Sequence, residues 1–582
     1  MERASTNPAL DVLYRRFAEV WLADFEFIAE NGNRPEPVCL VARELRSGRK
    51  IKLWRDQMGK VPPYSVGPES LFVAYLASAE IGCHLRLAWP KPVRVLDLYA
   101  EFRNQYNCLP TIIEGKGKFG LLSALIQHGC DAMGAMEKSE MTDLIRQGGP
   151  WTLEEKASIL DYCEADVDAL ARLLPVMLPK IDLPRAIYRG RYMSAVASIE
   201  HVGTPIDVEL LERLRQRWAV IKETLIARVD SQYGVYEGTT LKQHLFERWL
   251  AKNGIAWPRT ATGLLSIEND TFRDMAKAHP EVNELKELVH SLSELRLDRL
   301  AVGCDGFNRC LLSPFGSRSS RNAPSSAKFI FGPAVWMRGL IKPPAGWGVA
   351  YIDWRQQEFA VAGALSGDPN MLAAYHSGDP FLAFAKQARA VPSDATEETH
   401  PKQRGLYKTC VLGVGYGMAE RSLSYRTNTH LLLARGLLQH HHEIYRRFWE
   451  WSDNRVSRTM LYGHCHTVFG FTYHVPENPK PRSIRNFPMQ GNGAEMMRLA
   501  ACLGTENGIL ICAPVHDAFL IMAPVNRLEA DVKRMRGYMA QASKIVLNGF
   551  ELRTKPVFVR YPDRYMDEDR GREFWDKVMS LL

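Results

Sequence analysis

Two patterns of apolar residues divide this chain. Up to about residue 185, short apolar runs such as VWLADFEFIA, SLFVAYLA and VRVLDLYA alternate with longer stretches of helical periodicity such as TLEEKASILDYCEADVDALARLL. The short runs predict strands and the longer stretches predict amphipathic helices. Residues 1–185 are therefore predicted to form an α/β domain.

From about residue 186 the pattern becomes strongly helical. Behind Asp207, a predicted N-cap, apolar residues recur at spacings of three and four. These residues are Leu211, Leu214, Trp218, Ile221, Leu225 and Val229. A second domain is predicted to begin near residue 186, because a chain of 582 residues is too long for one hydrophobic core.

Two apolar segments of this second part end on carboxylates. GWGVAYID predicts a buried strand that ends at Asp353, and GILICAPVHDAFLIMAP predicts a β-hairpin with His516 and Asp517 at its turn. For either aspartate alone, a turn residue or a strand cap is the commoner explanation. The presence of two strand-end aspartates, 164 residues apart (517 − 353), favours a functional explanation instead. On adjacent strands they can hold two divalent cations that serve a phosphoryl transfer.

The segment RGLYKTCVLGVGYG lies between these strands. Arg404, Lys408, Leu412 and Tyr416 follow one another at intervals of four, so on an α-helix they share one broad face. Two cations, an apolar side chain and an aromatic ring suit a triphosphate, then a sugar and a base. A cation pair four residues apart is usually a solvated helix face, but the following GVGYG is harder to explain in that way.

The charge of the chain permits a polyanionic partner without requiring one. The formal net charge is +8, and no acidic residue occurs from Asn308 to Ile352. The cations of that stretch are Arg309, Arg318, Arg321, Lys328, Arg338 and Lys342. Such a segment suits a surface that contacts phosphates, and a solvated basic loop is an equally common origin.

The cysteine and hydropathy patterns favour a protein of the reducing cytoplasm. None of the eleven cysteines is paired as CxxC, and they are too dispersed for a disulfide framework. The N-terminus has no apolar core of signal-peptide length, and no run of about 18 apolar residues occurs. We expect no membrane partner and a location in the cytoplasm of a bacterial host cell.

Three segments resemble motifs A, B and C of the family A DNA polymerases: DWRQQEF, RGLYKTCVLGVGYG and VHDA, in that order. SIEHVGTPID, GIAWPRTATGLLS, SPFGSRSSRNAP, LYGHCHTVFGF and RNFPMQGNGAEMMR add further similarity, over residues 186 to about 565. The resemblance implies an α+β right-hand domain over 186–582. Its thumb would span about 205–300, its palm about 301–370 and 480–582, and its fingers about 371–480.

The resemblance implies a template-directed DNA polymerase that joins dNTPs to a primer 3′-hydroxyl by two-metal phosphoryl transfer. Asp353 and Asp517 would bind two Mg²⁺ ions, for which Mn²⁺ can substitute. Arg404 and Lys408 would hold the triphosphate, and Lys408 would also protonate the pyrophosphate. Primer–template DNA and dNTPs are the expected partners of a monomeric enzyme.

The same resemblance assigns a nucleotide pocket and DNA contacts. Glu358 matches the glutamate that crowds a ribose 2′-hydroxyl, called the steric gate, and Tyr416 would stack near the templating position. Gln356 and Leu412 complete the implied nucleotide-binding set. The implied contacts to primer, template or nascent base pair are Arg321, Asn486, Gln490 and His516.

Three residues depart from the family pattern. Leu412 stands where Phe or Tyr is usual, which changes the stacking against the incoming sugar. Ala518 replaces a glutamate after the motif C aspartate, and we expect tuning from this change rather than loss of activity. Arg355 stands where a small serine is usual and adds a cation beside the metals.

The N-terminal part carries a second set of acidic residues. ADFEF places Asp24 and Glu26 on one face of a strand, and YCEAD places Tyr162 and Asp166 on one face of a helix. Either pattern alone is common on surfaces. Ahead of a polymerase they resemble the first and third motifs of the tyrosine-type DEDD proofreading exonucleases. That resemblance implies an RNase H-like 3′→5′ exonuclease domain over 1–185.

The second exonuclease motif has two candidates. FVAYLASAEIGCHL offers Glu80 where an aspartate is usual, and Asp97 in VLDLYAEF is the competitor. Glu80 is preferred, because Asp97 matches a separate element some seventeen residues later. Asp24, Glu26, Glu80 and Asp166 would then bind two metals while Tyr162 orients the attacking water. Four carboxyl groups so close would repel one another without cations.

Other hypotheses remain beside this one. A DNA-binding replication accessory protein with degenerate sites is disfavoured by the intact aspartates and cations, and a single-subunit RNA polymerase by Glu358. A polymerase specialised for modified bases such as 2-aminoadenine stays open.

The histidines of GHCHT and His440–His442 are not expected to bind zinc, which normally takes four ligands at recognisable spacing. The two-domain length favours phage or prophage DNA replication.

Overall fold

The computed structural model describes residues 8–115, 117–131, 138–260, 262–293, 297–332, 334–415, 417–427 and 429–582. Tyr416 therefore lies outside the described residues. None of the helices in these ranges has the length and apolar character needed to cross a bilayer.

The N-terminal part is built on a five-stranded sheet, in the order β3-β2-β1-β4-β5. The strands are β1 (Glu19–Ile28), β2 (Glu36–Glu44), β3 (Lys50–Trp54), β4 (Ser70–Ala74) and β5 (Val95–Asp97). The helices are α1 (Asp11–Tyr14), α2 (Ser78–Arg86), α3 (Leu98–Tyr106), α4 (Leu121–Gln127), α5 (Lys138–Arg146), α6 (Leu153–Met177) and α7 (Leu183–Val202). The predicted α/β organisation is confirmed, with β1 parallel to β4 and antiparallel to β2.

Side-chain alternation along β1 gives the sheet two buried faces. Trp21 and Phe25 pack on the face that also meets α2 and α7, whereas Val20 and Leu22 pack with α6. Since side chains two apart share a face, Asp24 lies on the α6 side of the sheet.

A run of mainly helical elements follows. They are β6 (Thr204–Pro205), α8 (Val208–Tyr233), β7 (Tyr236–Glu237), β8 (Thr240–Leu241), α9 (Gln243–Lys252), α10 (Asn269–Ala278), α11 (Asn283–Ser293) and β9 (Phe307–Asn308). The predicted N-cap is confirmed, because the Asp207 carboxylate accepts a hydrogen bond from the Leu210 amide at 3.2 Å. Leu211 and Leu214 are fully buried, as the apolar periodicity predicts.

The C-terminal part surrounds a four-stranded antiparallel sheet, in the order β13-β14-β10-β15. Its first elements are β10 (Trp347–Trp354), α12 (Gln357–Ser366), α13 (Pro369–His376), α14 (Pro380–Gln387), α15 (Pro401–Gly415), α16 (Glu420–Thr427), α17 (Leu431–Ile444) and α18 (Arg446–Tyr462). They are followed by β11 (His464–His466), β12 (Thr472–His474), α19 (Pro481–Glu506), β13 (Leu510–Val515), β14 (Ala518–Pro524), α20 (Val525–Val546), β15 (Thr554–Arg560) and α21 (Arg572–Met579).

The segment LYGHCHTVFGF begins at the end of a helix and continues into a β-hairpin. Helix α18 ends at Tyr462, Gly463 takes a left-handed conformation with φ of 74°, and β11 and β12 then form a hairpin. The hairpin follows because a positive φ redirects the chain sharply at the helix end.

One continuous helix joins the two parts of the molecule. The predicted boundary at 185/186 falls inside α7, which packs against α2 and β5 of the N-terminal part and against α19 and β13 of the C-terminal part. At Gly190 a Cβ atom would stand 2.0 Å from the carbonyl oxygen of Val95, so only glycine permits this approach. The two parts are therefore joined through packed structure and not through a linker.

A buried ion pair lies beside this helix. Arg189 of α7 donates to both carboxylate oxygens of Glu101 of α3, at 2.6 and 2.8 Å. Their side chains are 3% and 1% exposed. Because neither charge can be hydrated there, each depends on the other.

Glu101→Ala is expected to destabilise the protein by about 3 to 5 kcal/mol, because it leaves the buried Arg189 charge without a partner. Urea unfolding followed by tryptophan fluorescence measures the change. The double variant Glu101→Leu/Arg189→Met should recover most of the loss.

The matched control is Glu506→Ala, which removes an exposed ion pair with Arg191, 42% and 35% exposed. That change should cost at most about 1 kcal/mol. Equal losses for the buried and the exposed pair would contradict the role given to burial.

Candidate active sites

The register of the C-terminal sheet brings the two predicted aspartates together. On β10, one of the two inner strands, Asp353 lies opposite Ala518 of β14 and opposite Lys555 of β15. Ala518 directly follows Asp517, and the backbone amide of Trp354 donates to the Asp517 carbonyl at 3.1 Å. The predicted convergence of two strand-end aspartates on adjacent strands is thus what the structure contains.

The predicted hairpin is also confirmed. β13 ends at Val515 and β14 begins at Ala518, so His516 and Asp517 form the turn. His516 has a φ of 53°, the left-handed conformation that tight two-residue turns require. The turn holds Asp517 at the end of the sheet, beside Asp353.

Burial and mutual repulsion make this carboxylate pair costly to ionise. Desolvation and then the charge of Asp517 raise the pKa of Asp353 to about 7, against the opposing effect of Arg355 and Lys555. Burial also raises the pKa of Asp517. A divalent cation would relieve both costs, and two adjacent carboxylates are donors that Mg²⁺ prefers, so the residues present fit that metal.

Two cations lie near Asp353 at this end of the sheet. Arg355 follows it by two residues, and Lys555 lies directly across on β15. Both side chains are exposed, and neither forms a hydrogen bond or ion pair with the described residues. Sequence reasoning noted Arg355 without an explanation and missed Lys555, whose place depends on strand register alone.

Helix α15 carries the predicted cation face. Arg404 forms ion pairs with Asp379 and, at 2.8 Å, with Glu397. Lys408 is exposed, with its Nζ 6.0 Å from the centre of the Phe381 ring. Of these two cations, Lys408 is available to an added anion, whereas Arg404 would have to exchange its carboxylate partners.

A small cavity brings four predicted residues together. Its volume is about 40 Å³, and its lining includes Glu358, Leu412, Asn486 and Gln490. The Oδ1 atom of Asn486 is buried and has no hydrogen-bond partner among the described residues. An unpaired buried acceptor beside a cavity is a candidate ligand contact.

Glu358 lies in the first turn of α12, next to a strained residue. Gln356, the residue before this helix, has a φ of 48°, and its buried Oε1 has no hydrogen-bond partner among the described residues. Arg321 donates from Nη2 to Oε1 of Glu358 at 3.2 Å. The side chain of Glu358 is thereby tied to a loop from another part of the chain.

A larger cleft lies next to this pocket. Its volume is about 1350 Å³, and Arg321 and His516 line it together with Lys286 of α11 and Arg570 near the C-terminus. Burial and then the charges of Arg321 and Arg338 lower the pKa of His516. The cleft thus joins the acid-free segment to the turn that carries Asp517.

In the N-terminal part, Asp24, Glu26 and Asp166 form a compact group. One carboxylate oxygen from each lies within 4.8 Å of the others. Asp24 and Glu26 come from β1 and Asp166 from α6, which packs on that strand. Cys163, which sequence reasoning passed over, donates from Sγ to Oδ2 of Asp24 at 3.4 Å and so helps to orient that carboxylate.

The hydroxyl of Tyr162 lies in the field of this group. Burial, followed by the charges of Asp166, Glu26 and Asp24, raises the pKa of Tyr162 well above its usual value. The phenol therefore stays protonated at neutral pH and can act as a hydrogen-bond donor.

The two candidates for the second exonuclease motif have different surroundings. Glu80 of α2 is buried, and its Oε2 accepts from the Phe25 amide at 2.7 Å. Burial and the charges of Asp24, Glu26 and Asp166 hold its pKa well above the usual range. Glu80 therefore lies near the group, although it is not one of the three carboxylates that converge most closely.

Asp97 has a structural role. One carboxylate oxygen accepts from the Ala77 amide at 2.6 Å. The other accepts from the Ala100 amide at 2.7 Å and so caps α3. Burial raises its pKa to about 7. With both oxygens used by the backbone, Asp97 is a poorer candidate for a metal ligand than Glu80.

The histidine clusters have ordinary packing roles among the described residues. His441 is buried and accepts a hydrogen bond from Trp449 Nε1 at 3.1 Å, and His442 stacks on the same indole. His466 Nδ1 lies 3.1 Å from Thr472 Oγ1. Within the described part of the chain, the metal-compatible group of three or more ligands is the Asp24 group.

Comparison with known proteins gives concordant matches. Residues 333–554 match the family model of DNA polymerase family A. DNA polymerase I of Aquifex aeolicus is 26% identical over 418 residues, covering 68% of this chain and 70% of that protein. The DNA polymerase of Mycobacterium phage D29 is 22% identical over 405 residues, which cover 67% of this chain and 66% of the phage protein.

A shorter match occurs with the thermostable DNA polymerase I of Thermus thermophilus, 29% identical over 199 residues, which are 24% of that protein. Among solved structures, the POL domain of Pol1 from M. smegmatis, in complex with DNA primer-template and dNTP, superposes with a TM-score of 0.68. The superposition covers 98% of both chains at 15% sequence identity. At this identity the likeness establishes the fold alone.

Asp353→Asn is expected to stabilise the metal-free protein at pH 8. Because the pKa of Asp353 is raised to about 7, the folded state retains a proton that the unfolded chain releases near pH 4. The stability that Asp353 contributes is therefore present at low pH and is lost as the pH rises through about 7. The variant should unfold about 2 to 4 °C higher at pH 8 in EDTA.

Thermal unfolding at several pH values measures this effect, and the difference should shrink toward pH 5. Asp394→Asn, a change at an exposed aspartate, is the control and should leave the midpoint unchanged at every pH. A variant that unfolds at the wild-type temperature at pH 8 would contradict the electrostatic cost of the pair.

Proposed function

Because this chain belongs to DNA polymerase family A, we propose that it is a template-directed DNA polymerase with a proofreading 3′→5′ exonuclease in its N-terminal part. The observation that carries the proposal is the strand register that sets Asp353 beside Asp517 at the end of the C-terminal sheet. We further propose that the enzyme replicates phage or prophage DNA, which the similarity to a phage polymerase supports.

In the polymerase site, Asp353 and Asp517 would hold two Mg²⁺ ions. Bound there, the ions would supply Lewis-acid activation of the primer 3′-hydroxyl and would neutralise charge on the transferred phosphoryl group. The raised pKa of Asp353 supports this assignment, because a carboxylate pair that repels itself gains most from a bound cation.

Helix α15 would supply the contacts to the triphosphate. Lys408 is exposed and bears its positive charge on the predicted face, so it can bind phosphate oxygens and give a proton to the departing pyrophosphate. Arg404 would exchange its ion pairs with Asp379 and Glu397 for phosphate oxygens when a nucleotide binds. Without a nucleotide, Arg404 would thus stay paired with these two carboxylates, and the triphosphate would displace them.

The deoxyribose would meet Glu358. Its carboxylate is held by Arg321 and borders the small cavity near Leu412, a position where an added 2′-hydroxyl would be crowded. Leucine at position 412 leaves more space beside that cavity than the aromatic ring usual in the family. We propose that selection against ribonucleotides depends mainly on Glu358.

The primer–template would occupy the larger cleft. The excess of cations in the chain, and above all the acid-free segment from Asn308 to Ile352, supports a duplex contact there. The M. smegmatis domain of the same fold is described in complex with a primer-template and a dNTP, which supports DNA and dNTPs as partners of this chain. The proposed contacts are Arg321 and His516, which line this cleft, and Asn486 and Gln490, which line the small cavity.

In the exonuclease site, Asp24, Glu26 and Asp166 would hold Mg²⁺, and Glu80 would complete the set. Tyr162, protonated at neutral pH, would orient the water that attacks the terminal phosphodiester. The convergence of three carboxylates supports this assignment, because a bound cation would relieve their mutual repulsion. The five-stranded order β3-β2-β1-β4-β5 supports an RNase H-like domain.

Reciprocal loss of activity is expected from Asp353→Asn and Asp24→Asn. On a labelled primer–template with a mismatched 3′ end, Asp353→Asn should lower extension at least about 10³-fold and keep the shortening of the primer. Asp24→Asn should keep extension of a matched primer and lose the shortening by a similar factor.

The activity that each variant keeps shows that the protein has folded, so each variant serves as a control for the other. Extension by Asp353→Asn at the wild-type rate would refute the polymerase site, and shortening by Asp24→Asn would refute the exonuclease site. If the wild-type protein bound DNA but neither extended nor shortened the primer, an accessory protein with degenerate sites would be the better explanation.

Substitutions of the two candidates for the second exonuclease motif are expected to have different effects. Glu80→Gln should slow removal of a mismatched 3′ nucleotide about 10- to 100-fold, because a metal ligand loses its charge. Asp97→Asn should lower the unfolding temperature through the weakened cap of α3 and leave the rate per folded molecule near that of wild type. The opposite result would assign the ligand to Asp97.

A further inference from the structure

The loop that carries Arg321 has an unusual backbone. In residues 312–322, Ser313, Phe315 and Ser320 all have positive φ angles, of 48°, 57° and 62°. L-residues other than glycine rarely adopt this conformation, and a chain keeps it only where its surroundings enforce it. Hydrogen bonds within the loop hold part of this shape, such as the one from the Arg321 amide to Ser317 Oγ at 2.9 Å, and groups outside the loop add to them.

Several of the groups outside the loop come from the N-terminal part. Arg103 of α3 donates from Nε and Nη2 to the carbonyl of Phe315 at 3.0 and 2.6 Å, and from Nη2 to that of Gly316 at 2.8 Å. Asn107, the residue after α3, donates from Nδ2 to the carbonyl of Arg318 at 2.9 Å. One helix end thus binds successive carbonyls across the strained part of the loop.

The arginine is suited to this task. Arg103 is 8% exposed, and its guanidinium lies 4.0 Å from the centre of the Phe119 ring. The planar group stacks on the aromatic face and presents its donors along fixed directions. Buried in this way, Arg103 holds the loop carbonyls in a defined place.

The opposite side of the loop rests on the C-terminal part. Arg498 of α19 donates to the carbonyl of Ser320 at 2.7 Å and to its hydroxyl at 3.0 Å. Phe315 stacks on Phe471 with ring centres 5.6 Å apart and an interplanar angle of 9°. The loop is held from two sides, and its next residue, Arg321, reaches Glu358 at 3.2 Å.

We propose that Arg103 and Asn107 are positioning residues of the polymerase site. By fixing the loop backbone they set the place of Arg321, which in turn holds Glu358 against the pocket. Discrimination between deoxyribonucleotides and ribonucleotides then depends on the N-terminal part of the molecule, apart from any exonuclease chemistry there. The inference rests on the proposed polymerase function and deepens it.

A second contact between the two parts provides a matched control. Asn33, between β1 and β2, accepts a hydrogen bond at Oδ1 from the Cys304 amide at 2.8 Å. This contact joins the same two parts of the chain as Arg103 does, but it lies outside the loop of residues 312–322. Asn33→Ala therefore removes a contact between the parts without releasing the loop.

The test compares wild type, Arg103→Leu, Arg103→Lys, Asn107→Ala and Asn33→Ala. Single-nucleotide incorporation gives kcat/KM for a dNTP and for the matching rNTP. Arg103→Leu should lower the ratio of the two values about two- to thirtyfold, chiefly through faster rNTP incorporation relative to dNTP. Asn107→Ala should have a smaller effect in the same direction. Arg103→Lys should keep part of the ratio, because its ammonium can still donate to a loop carbonyl although it lacks the planar fork.

Hydrogen exchange of the amides of residues 315–321 is the second readout and needs no activity. Exchange should be faster in Arg103→Leu than in wild type and unchanged in Asn33→Ala. A merely structural role would lower the unfolding temperature of Arg103→Leu and leave the nucleotide ratio of the folded enzyme as in wild type, which would overturn the inference.

The outcomes separate the inference from the proposed function. Wild-type protein that incorporates no nucleotide would refute the polymerase function, whereas an active wild type with unchanged exchange and ratio in Arg103→Leu would refute the positioning role alone. If Arg103→Leu does not fold, Asn107→Ala and Arg103→Lys decide by the same two readouts, and wild-type values in both would refute the proposal.

Discussion

The pairing of β10 with β14 is the constraint on which the C-terminal site depends. Because Asp353 lies opposite Ala518, the turn of the β13–β14 hairpin brings Asp517 to the same end of the sheet. A shift of one residue in this register would turn Asp353 to the other face. The apolar residues of β10 prevent such a shift, since Val349, Ala350 and Ile352 are fully buried.

The two halves of the molecule are held together by buried polar groups as well as by apolar packing. The Arg189–Glu101 pair joins α7 to α3, and the same helix α3 gives Arg103 to the loop before β10. Gly190 allows α7 to lie directly on β5. Polar contacts of this kind have defined directions, so they fix the orientation of one half on the other more narrowly than apolar packing would.

The sequence was sufficient to predict the local features. The carboxylate at the end of β10, the hairpin at Asp517, the N-cap at Asp207 and helix α15 all follow from periodicity and turn chemistry within a few residues. Contacts between distant segments could not be predicted in this way. Lys555 lies beside Asp353 through strand register, Arg404 pairs with Asp379 across a helix corner, and nothing local marks Arg103 as a partner of residues 315 and 316.

The charges of the protein around the two carboxylate sites differ. The charges that act most strongly on Glu80 are those of Asp24, Glu26 and Asp166, all of the same sign. At Asp353 the charge of Asp517 is opposed by Arg355 and Lys555. The leading charges at Glu80 are therefore all repulsive, whereas part of the charge of the C-terminal pair is balanced by cations of the protein itself. Arg355, one of the three residues that depart from the family pattern, thus contributes to the electrostatics of the site.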